Sequence, residues 1–463
     1  MIAAAALDLG STSIKAALMD SPGNLSCIVS RPAPVINGQL GRYESDALQY
    51  VETADQVLAQ CLASTDPKPP LGLCSQRSSF LIWDNASGQP VTPLISWQDD
   101  RGASCCDQLH ASASIIQSKT GLRLTPYYLA PKLSVLLQQN PLWRQKLITG
   151  EWLAGTLDTF LIWRWTDKQY FITDASMAAR TLLVDIHQQQ WSEDLCKLFD
   201  IPRSILPAIQ PSTGFNLLLK NGLTLQASVG DQSAALIASL TDSCSEALVN
   251  LGTGGFVIRS LKNGEPAFGG YLQTLVFQNR NQPAQFAIEG TLNSIAAALA
   301  PYPVNACSLQ DLATNDIFCL AEPSGLGAPY FRSDWGLYFS QPVTHLSRQQ
   351  AASLLLEAII FRVTRILEEF HRHTPLTGVL LSGGLSALPC LQQGIAQCIA
   401  VPVFHLQQQE ASLQGAAMLA AGLTVASRTD RQRIVIEQTN DKLGKKYRQW
   451  QFWLDALLKS PVK

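Results

Sequence analysis

The stretch Asp8-Leu9-Gly10-Ser11-Thr12-Ser13 interrupts the apolar run Ile2–Leu7 and is followed by the largely apolar Ile14–Met19. That order predicts strand, tight turn, strand. A turn of Gly, Ser and Thr offers backbone N–H groups and small hydroxyls to an anion, and a carboxylate beside it suits a phosphate bridged to a metal ion. Many hairpin turns share this composition, so a single copy decides little. The constraint comes from repetition. Asn250-Leu251-Gly252-Thr253-Gly254-Gly255 again stands between apolar segments, Ala247–Val249 and Phe256–Ile258. Two such hairpins, one in each half, predict a duplicated architecture with a ligand between the halves.

A chain of 463 residues, 46% of them hydrophobic, suits two or three domains rather than one core. We expect one domain over 1–241 and a second over 242–463. The 34 Lys+Arg nearly balance the 36 Asp+Glu, and no basic run is interleaved with aromatics, which argues against nucleic acid and anionic membrane as partners. The apolar run Ile2–Ala6 has no basic residues before it, and no segment approaches a membrane span, so a cytoplasmic location is expected. Eleven cysteines without a CxxC spacing predict buried free thiols.

In chain order, Cys27–Val29 is expected to return as a third antiparallel strand, and Ser45 to cap a helix over about Asp46–Leu62. Leu71–Cys74 then reads as a short buried strand opening into Ser75-Gln76-Arg77-Ser78-Ser79, where α/β proteins place ligands. Trp97, followed by four polar residues, is an aromatic wall or a core residue; Tyr127 and Tyr128 offer phenols near Lys132. A helix is expected around Trp152–Ile162. Asp231 stands before a small-residue helix, as its cap or as a positioned base, with the cap favoured by position alone. The second half is expected to open near Asp242. Ser347 and Gln350 form a capping box for a helix to about Phe370, and Gly383-Gly384 lies between a strand and a helix. Helix 412–423 is crowded with Gly and Ala, which predicts close packing, or else one wall of a nucleotide pocket. Lys442, Lys445, Lys446 and Arg448 read as the solvated face of a C-terminal amphipathic helix.

The six histidines are scattered, which argues against a Cys/His metal centre and leaves open a hard cation held by carboxylates, water and phosphate. Neither a Walker sequence nor a Gly-x-Ser-x-Gly elbow is present. The glycine hairpins with Asp8 and Asp231 suit phosphoryl transfer from a nucleotide, where positioning and electrostatics supply most of the catalysis.

Along nearly its whole length the chain resembles the FGGY carbohydrate kinases, most of all their glycerol kinase branch. The matching stretches are 6–13, Ser75-Gln76-Arg77, Ile95-Ser96-Trp97-Gln98, Pro126-Tyr127, 157–163, 230–236, 252–256, 325–330 and Ser382-Gly383-Gly384. The resemblance implies two ribonuclease-H-like α/β domains of the actin and sugar-kinase type, with mixed sheets and an active-site cleft between them. It implies ATP and Mg²⁺, and a small polyol or sugar as acceptor; a homodimer is compatible with it. Asp231 would be the general base, and Asp8 with Asp231 would hold the metal. Gly10, Ser11, Thr12, Ser13 and Lys15 would face the transferring phosphate. Gly252, Thr253, Gly327, Gly383 and Gly384 would serve the nucleotide. Gln76, Arg77, Ser78, Trp97, Tyr127, Asp231, Gln232 and Phe256 would line the acceptor site. Two departures bear on substrate: Ser78 stands where glycerol kinases have Glu, and Lys15 where they have Arg, which keeps charge but loses the bidentate fork. Segment 302–316 is also short for that branch. Glycerol is therefore the first expected acceptor and a pentulose the second; a nucleotide-driven switch or a sugar binder without turnover are the alternatives.

Overall fold

The computed structural model describes residues 1–240, 244–262, 264–407, 410–423, 431–436 and 438–460. Its contacts divide the chain into two compact units, one of Met1–Ala238, Thr274–Phe286 and Glu410–Thr424, the other of Ser239–Gln273, Ala287–Gln409 and Val425–Lys463. The expected opening of the second half at Asp242 falls outside the described residues.

In the first unit the expected hairpin forms: Ile2–Leu9 pairs antiparallel with Ser13–Asp20, which pairs antiparallel with Leu25–Pro32. Ile2–Leu9 pairs in parallel with Leu71–Ser75 on its other side, and that strand with Thr224–Gly230. Thr213–Leu218 then pairs antiparallel with Thr224–Gly230 to complete a mixed six-stranded sheet. The strands against which other elements pack are almost wholly apolar, as burial on both faces requires.

The sheet containing the second hairpin repeats this order. Glu246–Leu251 pairs antiparallel with Gly255–Ser260, which pairs antiparallel with Ala284–Leu292. Gly378–Ser382 and Val403–Leu406 follow in parallel, and Arg431–Arg433 closes the edge antiparallel. The predicted duplication is thus present at the level of strand order and direction. The second sheet adds Leu272–Gln278 beside Ala284–Leu292, and in each sheet a helix follows the antiparallel strands and precedes the first parallel one, Ala47–Cys61 in the first and Arg348–His373 in the second.

Several local expectations shift. The first helix is capped by Asp46, whose Oδ1 accepts from the N–H groups of Leu48 and Gln49, and not by Ser45. Residues expected as one helix, Trp152–Ile162, are a strand, Trp152–Thr156, paired with Phe80–Asp84, followed by a helix, Leu157–Trp165. That helix is buried on nearly every face, so its apolar residues show no period to mark its start. The capping box of Ser347 and Gln350 forms, and the helix runs on to His373. Lys446 does not lie on a solvated face: it is buried on the C-terminal helix Asp441–Lys459, with its Nζ 2.5 Å from Glu357 Oε2. All eleven cysteines are free; seven are buried, Cys106, Cys244 and Cys398 are half-buried, and Cys27 is exposed.

The Gly/Ala-rich helix Ala411–Ala421 belongs to the first unit, where it packs on Ile2–Leu9, Leu71–Ser75 and Thr224–Gly230. A Cβ at Gly72 would overlap the Ala416 carbonyl, and one at Gly415 would overlap the Ala234 carbonyl. Backbone neighbours cannot rotate aside, so even a methyl group must push the helix off the sheet. Gly72→Ala is expected to destabilise the first unit by about 1–3 kcal/mol, read as a lower urea midpoint of its unfolding transition, the cost typical of an overpacked core.

Candidate functional site

Asp8 is the penultimate residue of Ile2–Leu9, in register with Lys15 across the hairpin and with Cys74 on the parallel neighbour. Its Oδ2 accepts a 2.5 Å hydrogen bond from Ser412 Oγ, while its Oδ1 is buried without a hydrogen-bond partner. Burial pushes this carboxyl up to about 6; the Ser412 bond opposes the shift, and the negative charge of Asp231 adds to it. Lys15 is held by Glu410, with Nζ at 2.8 and 2.7 Å from its two carboxylate oxygens. Glu410 and Ser412 thus approach the hairpin from the first turn of a helix whose sequence position gives no hint of it. The turn itself is closed by Gly10 N–H donating to Ser13 O at 3.1 Å; a Cβ on Gly10 would lie 2.8 Å from that oxygen. Thr12 at its tip is exposed, and Ser11 and Ser13 are half-buried.

Asp231 begins the helix Asp231–Ser239, directly after the strand Thr224–Gly230. Its carboxylate is recessed but reachable, with 32% side-chain exposure. Its Oδ1 accepts from Gln232 N–H at 2.7 Å and lies 3.5 Å from Arg77 Nε. Burial raises its pKa, and the charges of Arg77 and Arg180 and the Gln232 N–H oppose that rise. Arg77 also donates to the Gln232 side-chain carbonyl. The strand end before Asp231 is pinned by Ser176 Oγ, which accepts from Gly230 N–H at 2.9 Å and donates to Asp174. Asp174 caps the helix Ala175–Ala179 and takes a further 2.6 Å bond from Ser212 Oγ.

The other acceptor-side candidates divide into open and closed groups. Trp97 and Tyr127 are half-buried with ring centroids 5.5 Å apart, and Tyr127 also packs against the buried cluster that includes Tyr128 and Leu129. Gln76 is enclosed, its amide nitrogen donating to Tyr50 Oη at 2.9 Å and its carbonyl accepting from Ser79 Oγ at 2.9 Å. Ser78 is 0% exposed, sits at φ +66°, and donates its hydroxyl to Arg180 O at 2.9 Å. Arg180, which sequence reasoning missed, donates to Thr274 Oγ1 at 3.1 Å and lies over the Tyr128 ring.

The remaining candidates belong to the second unit. Gly384 faces open space, a Cβ on Gly252 would meet Gly254 O at 3.9 Å, and Thr253 is exposed at the tip of the second hairpin. Phe256 follows that turn, half-buried, in register with Asn250. Gly383, at φ +86°, is required by the backbone, since a Cβ would come within 2.5 Å of Leu251 O. Gly327 is required by packing instead: a Cβ there would overlap Thr291. Its loop is held from beneath by Glu322, which accepts from Gly327 N–H at 2.8 Å and pairs with buried Arg362 at 2.7 Å.

The family model for the N-terminal domain of the FGGY carbohydrate kinases matches residues 3–247, and that for the C-terminal domain matches 247–423. The chain belongs to the FGGY family of carbohydrate kinases. It is accordingly an ATP-dependent kinase acting on a small sugar or polyol. It is 30% identical over 444 residues to the glycerol kinase of Shewanella frigidimarina, covering 91% of this chain and 89% of that protein. The fold matches the glycerol kinase of Plasmodium falciparum solved with ADP, at a TM-score of 0.87 and 24% identity over 99% of both chains. It also matches a xylulose kinase from Rhodospirillum rubrum, at 0.82 and 19% over 98% of both. No helix among the described residues is long and apolar enough to cross a membrane.

The raised pKa of Asp8 has a consequence for stability. A carboxyl that titrates near 6 in the folded chain and near 3.8 when unfolded favours folding while protonated, and that contribution is lost as pH rises through about 6. Asp8→Asn removes the charge and keeps the shape. It should stabilise the ligand-free protein at pH 8 by on the order of 2–3 kcal/mol in urea unfolding, a gain that shrinks as pH falls from 7 to 4.

Proposed function

We propose that this kinase transfers the γ-phosphoryl group of ATP to a primary hydroxyl of a small polyol, glycerol first and a pentulose second. The observation that carries this reading is Asp231: a recessed, reachable carboxylate held between Arg77 and Gln232, near enough to Asp8 for its charge to disfavour ionisation of Asp8. Asp231 takes the proton of the attacking hydroxyl; burial raises its pKa, as suits a proton acceptor, and the charges of Arg77 and Arg180 oppose that rise. The hairpin 10–13 and Lys15 face the transferring phosphate. Trp97, Tyr127, Arg77 and Gln232, with Gln76 and Ser78 behind them, form the acceptor side. Gly252, Thr253, Gly327, Gly383 and Gly384 serve the nucleotide, with Phe256 on the acceptor. In this division residues 1–241 supply the metal side and, Phe256 apart, the acceptor side, and 242–463 the nucleotide side.

Mg²⁺ fits the donor set. The unpartnered buried Oδ1 of Asp8 and the carboxylate of Asp231 are hard oxygen ligands, and a Mg²⁺ ion completes its shell with water and phosphate rather than with an all-protein cage. Among the described residues no cluster of three or more His, Cys, Asp or Glu competes for it. When bound, the ion neutralises charge on the phosphates and draws Asp8 into its ionised form. A cytoplasmic enzyme working as a homodimer completes the proposal; the free cysteines support the reducing compartment.

ADP release measured against glycerol, erythritol, ribulose and xylulose tests the acceptor. Stimulation by one of them identifies the substrate, acceptor-independent hydrolysis points to a nucleotide-driven switch, and silence to a binder without turnover. With the stimulating acceptor, Asp231→Asn should lower kcat about 10²–10⁴-fold while ATP binding by calorimetry is preserved. Near-normal turnover would refute the assignment of the base.

A further inference from the structure

Lys132 lies on the helix Leu129–Gln139 and is 0% exposed. An enclosed ammonium is expensive, and an apolar side chain of the same length would fill the space without that penalty. Its position explains the charge. Lys132 Nζ donates to Ser96 O at 2.8 Å and to Tyr127 O at 2.9 Å. These carbonyls come from two separate segments, and both segments deliver the aromatic wall: Ser96 immediately precedes Trp97, and Tyr127 is the other ring. An ammonium has three donors and no acceptor, so it can bind two converging carbonyls that would otherwise repel each other.

The surroundings reinforce the clamp. Trp97 N–H is fixed from the opposite side by Ser79 Oγ at 3.0 Å. Asp99 attracts the ammonium; its carboxylate also accepts from Tyr43 N–H at 2.8 Å and from Arg101 Nε at 2.7 Å. Burial, the dominant influence, pushes Lys132 down to about 7, with Asp99 opposing and Arg101 assisting.

We propose that Lys132 is a positioning residue for the acceptor: by tying the Ser96 and Tyr127 carbonyls to one nitrogen, it sets the spacing of the Trp97 and Tyr127 rings against which the acceptor's carbon chain lies. The inference rests on the reading of Trp97 and Tyr127 as acceptor-site residues. It adds a residue that acts on the acceptor through the backbone of two segments.

The test compares Lys132→Met, Lys132→Gln and Trp97→Ala in the full chain, using whichever of glycerol, erythritol, ribulose and xylulose gives the highest turnover. Lys132→Met should raise the acceptor KM by about tenfold or more and leave the ATP KM within about twofold, with Lys132→Gln intermediate because its amide still donates but from a shorter side chain. Hydrogen exchange should quicken in peptides spanning 94–101 and 124–130 and stay unchanged in Ile2–Leu9. Equal changes in both KM values, or unaltered exchange in the two loop peptides, would overturn the clamp. If Trp97→Ala leaves the acceptor KM unchanged, the acceptor-wall reading fails; if Trp97→Ala raises it and the lysine variants do not, only the Lys132 proposal fails. Should Lys132→Met not fold, Lys132→Gln carries the same comparison, and should no acceptor be turned over, the exchange measurement decides whether the clamp exists.

Discussion

The chemistry of the first hairpin depends on a close approach between two backbones. Helix Ala411–Ala421 can lie on strand Leu71–Ser75 and beside helix Asp231–Ser239 only because Gly72 and Gly415 have no side chains. That contact sets where the first turn of the helix ends, and there Glu410 holds Lys15 while Ser412 holds Asp8. The two charged side chains of the hairpin are therefore oriented by residues about four hundred positions away in the chain. A charged side chain left to itself would sample many rotamers; an ion pair and a short hydrogen bond hold these two in one arrangement. Packing of the least polar kind thus governs the most polar part of the unit.

The first unit extends that order inward through a chain of buried polar groups. Tyr50 Oη donates to Gly10 O at 3.3 Å and accepts from Gln76, Gln76 accepts from Ser79, and Ser79 accepts from the N–H of Trp97. Each link has a partner, which is what a buried network needs in order to rigidify rather than destabilise. The phosphate-friendly turn and the aromatic wall are in this way two ends of one framework. The second unit uses the same device with stronger charges, since Glu322 and Arg362 are both about 1% exposed and hold the loop carrying Gly327 from beneath. In each unit a buried polar group behind the surface decides the shape of the surface.

What was legible in the sequence was local. The two hairpins, the strand order that repeats around them and the capping box at Ser347 follow from turn chemistry and apolar runs, which act over a few residues. The family was legible as well, because many weak motifs fell in one order. Glu410, Ser412 and Arg180 were not, since nothing near them in sequence marks them as partners of Lys15, Asp8 or Asp231. Lys446 was misread as solvated because a charge run usually is; its partner Glu357 lies on another helix. Gly327 illustrates a different limit. A glycine in a loop reads equally well as room for a ligand or room for a neighbour, and the Thr291 carbonyl and hydroxyl behind Gly327 mean that packing alone already requires it.

Ser78 bears most directly on the acceptor. Its hydroxyl donates to the Arg180 carbonyl and its left-handed backbone fixes the direction of its Cβ, so under the proposed assignment it would lie beneath the acceptor with its own hydroxyl already engaged. Gln76 is likewise occupied with Tyr50 and Ser79. Under the proposed assignment, the acceptor meets Arg77, Gln232, the Tyr127 phenol and one carboxylate, Asp231, which already has the task of receiving the reacting proton. Neighbouring hydroxyls would then be bound as hydrogen-bond acceptors, without a second carboxylate to fix a vicinal pair. A site that grips hydroxyls through paired partners rejects analogues strongly, whereas an apolar wall discriminates only modestly among chains of similar shape. Selectivity here would rest on the width between Trp97 and Tyr127, which places the weight of substrate choice on the geometry of those two rings rather than on Arg77 alone.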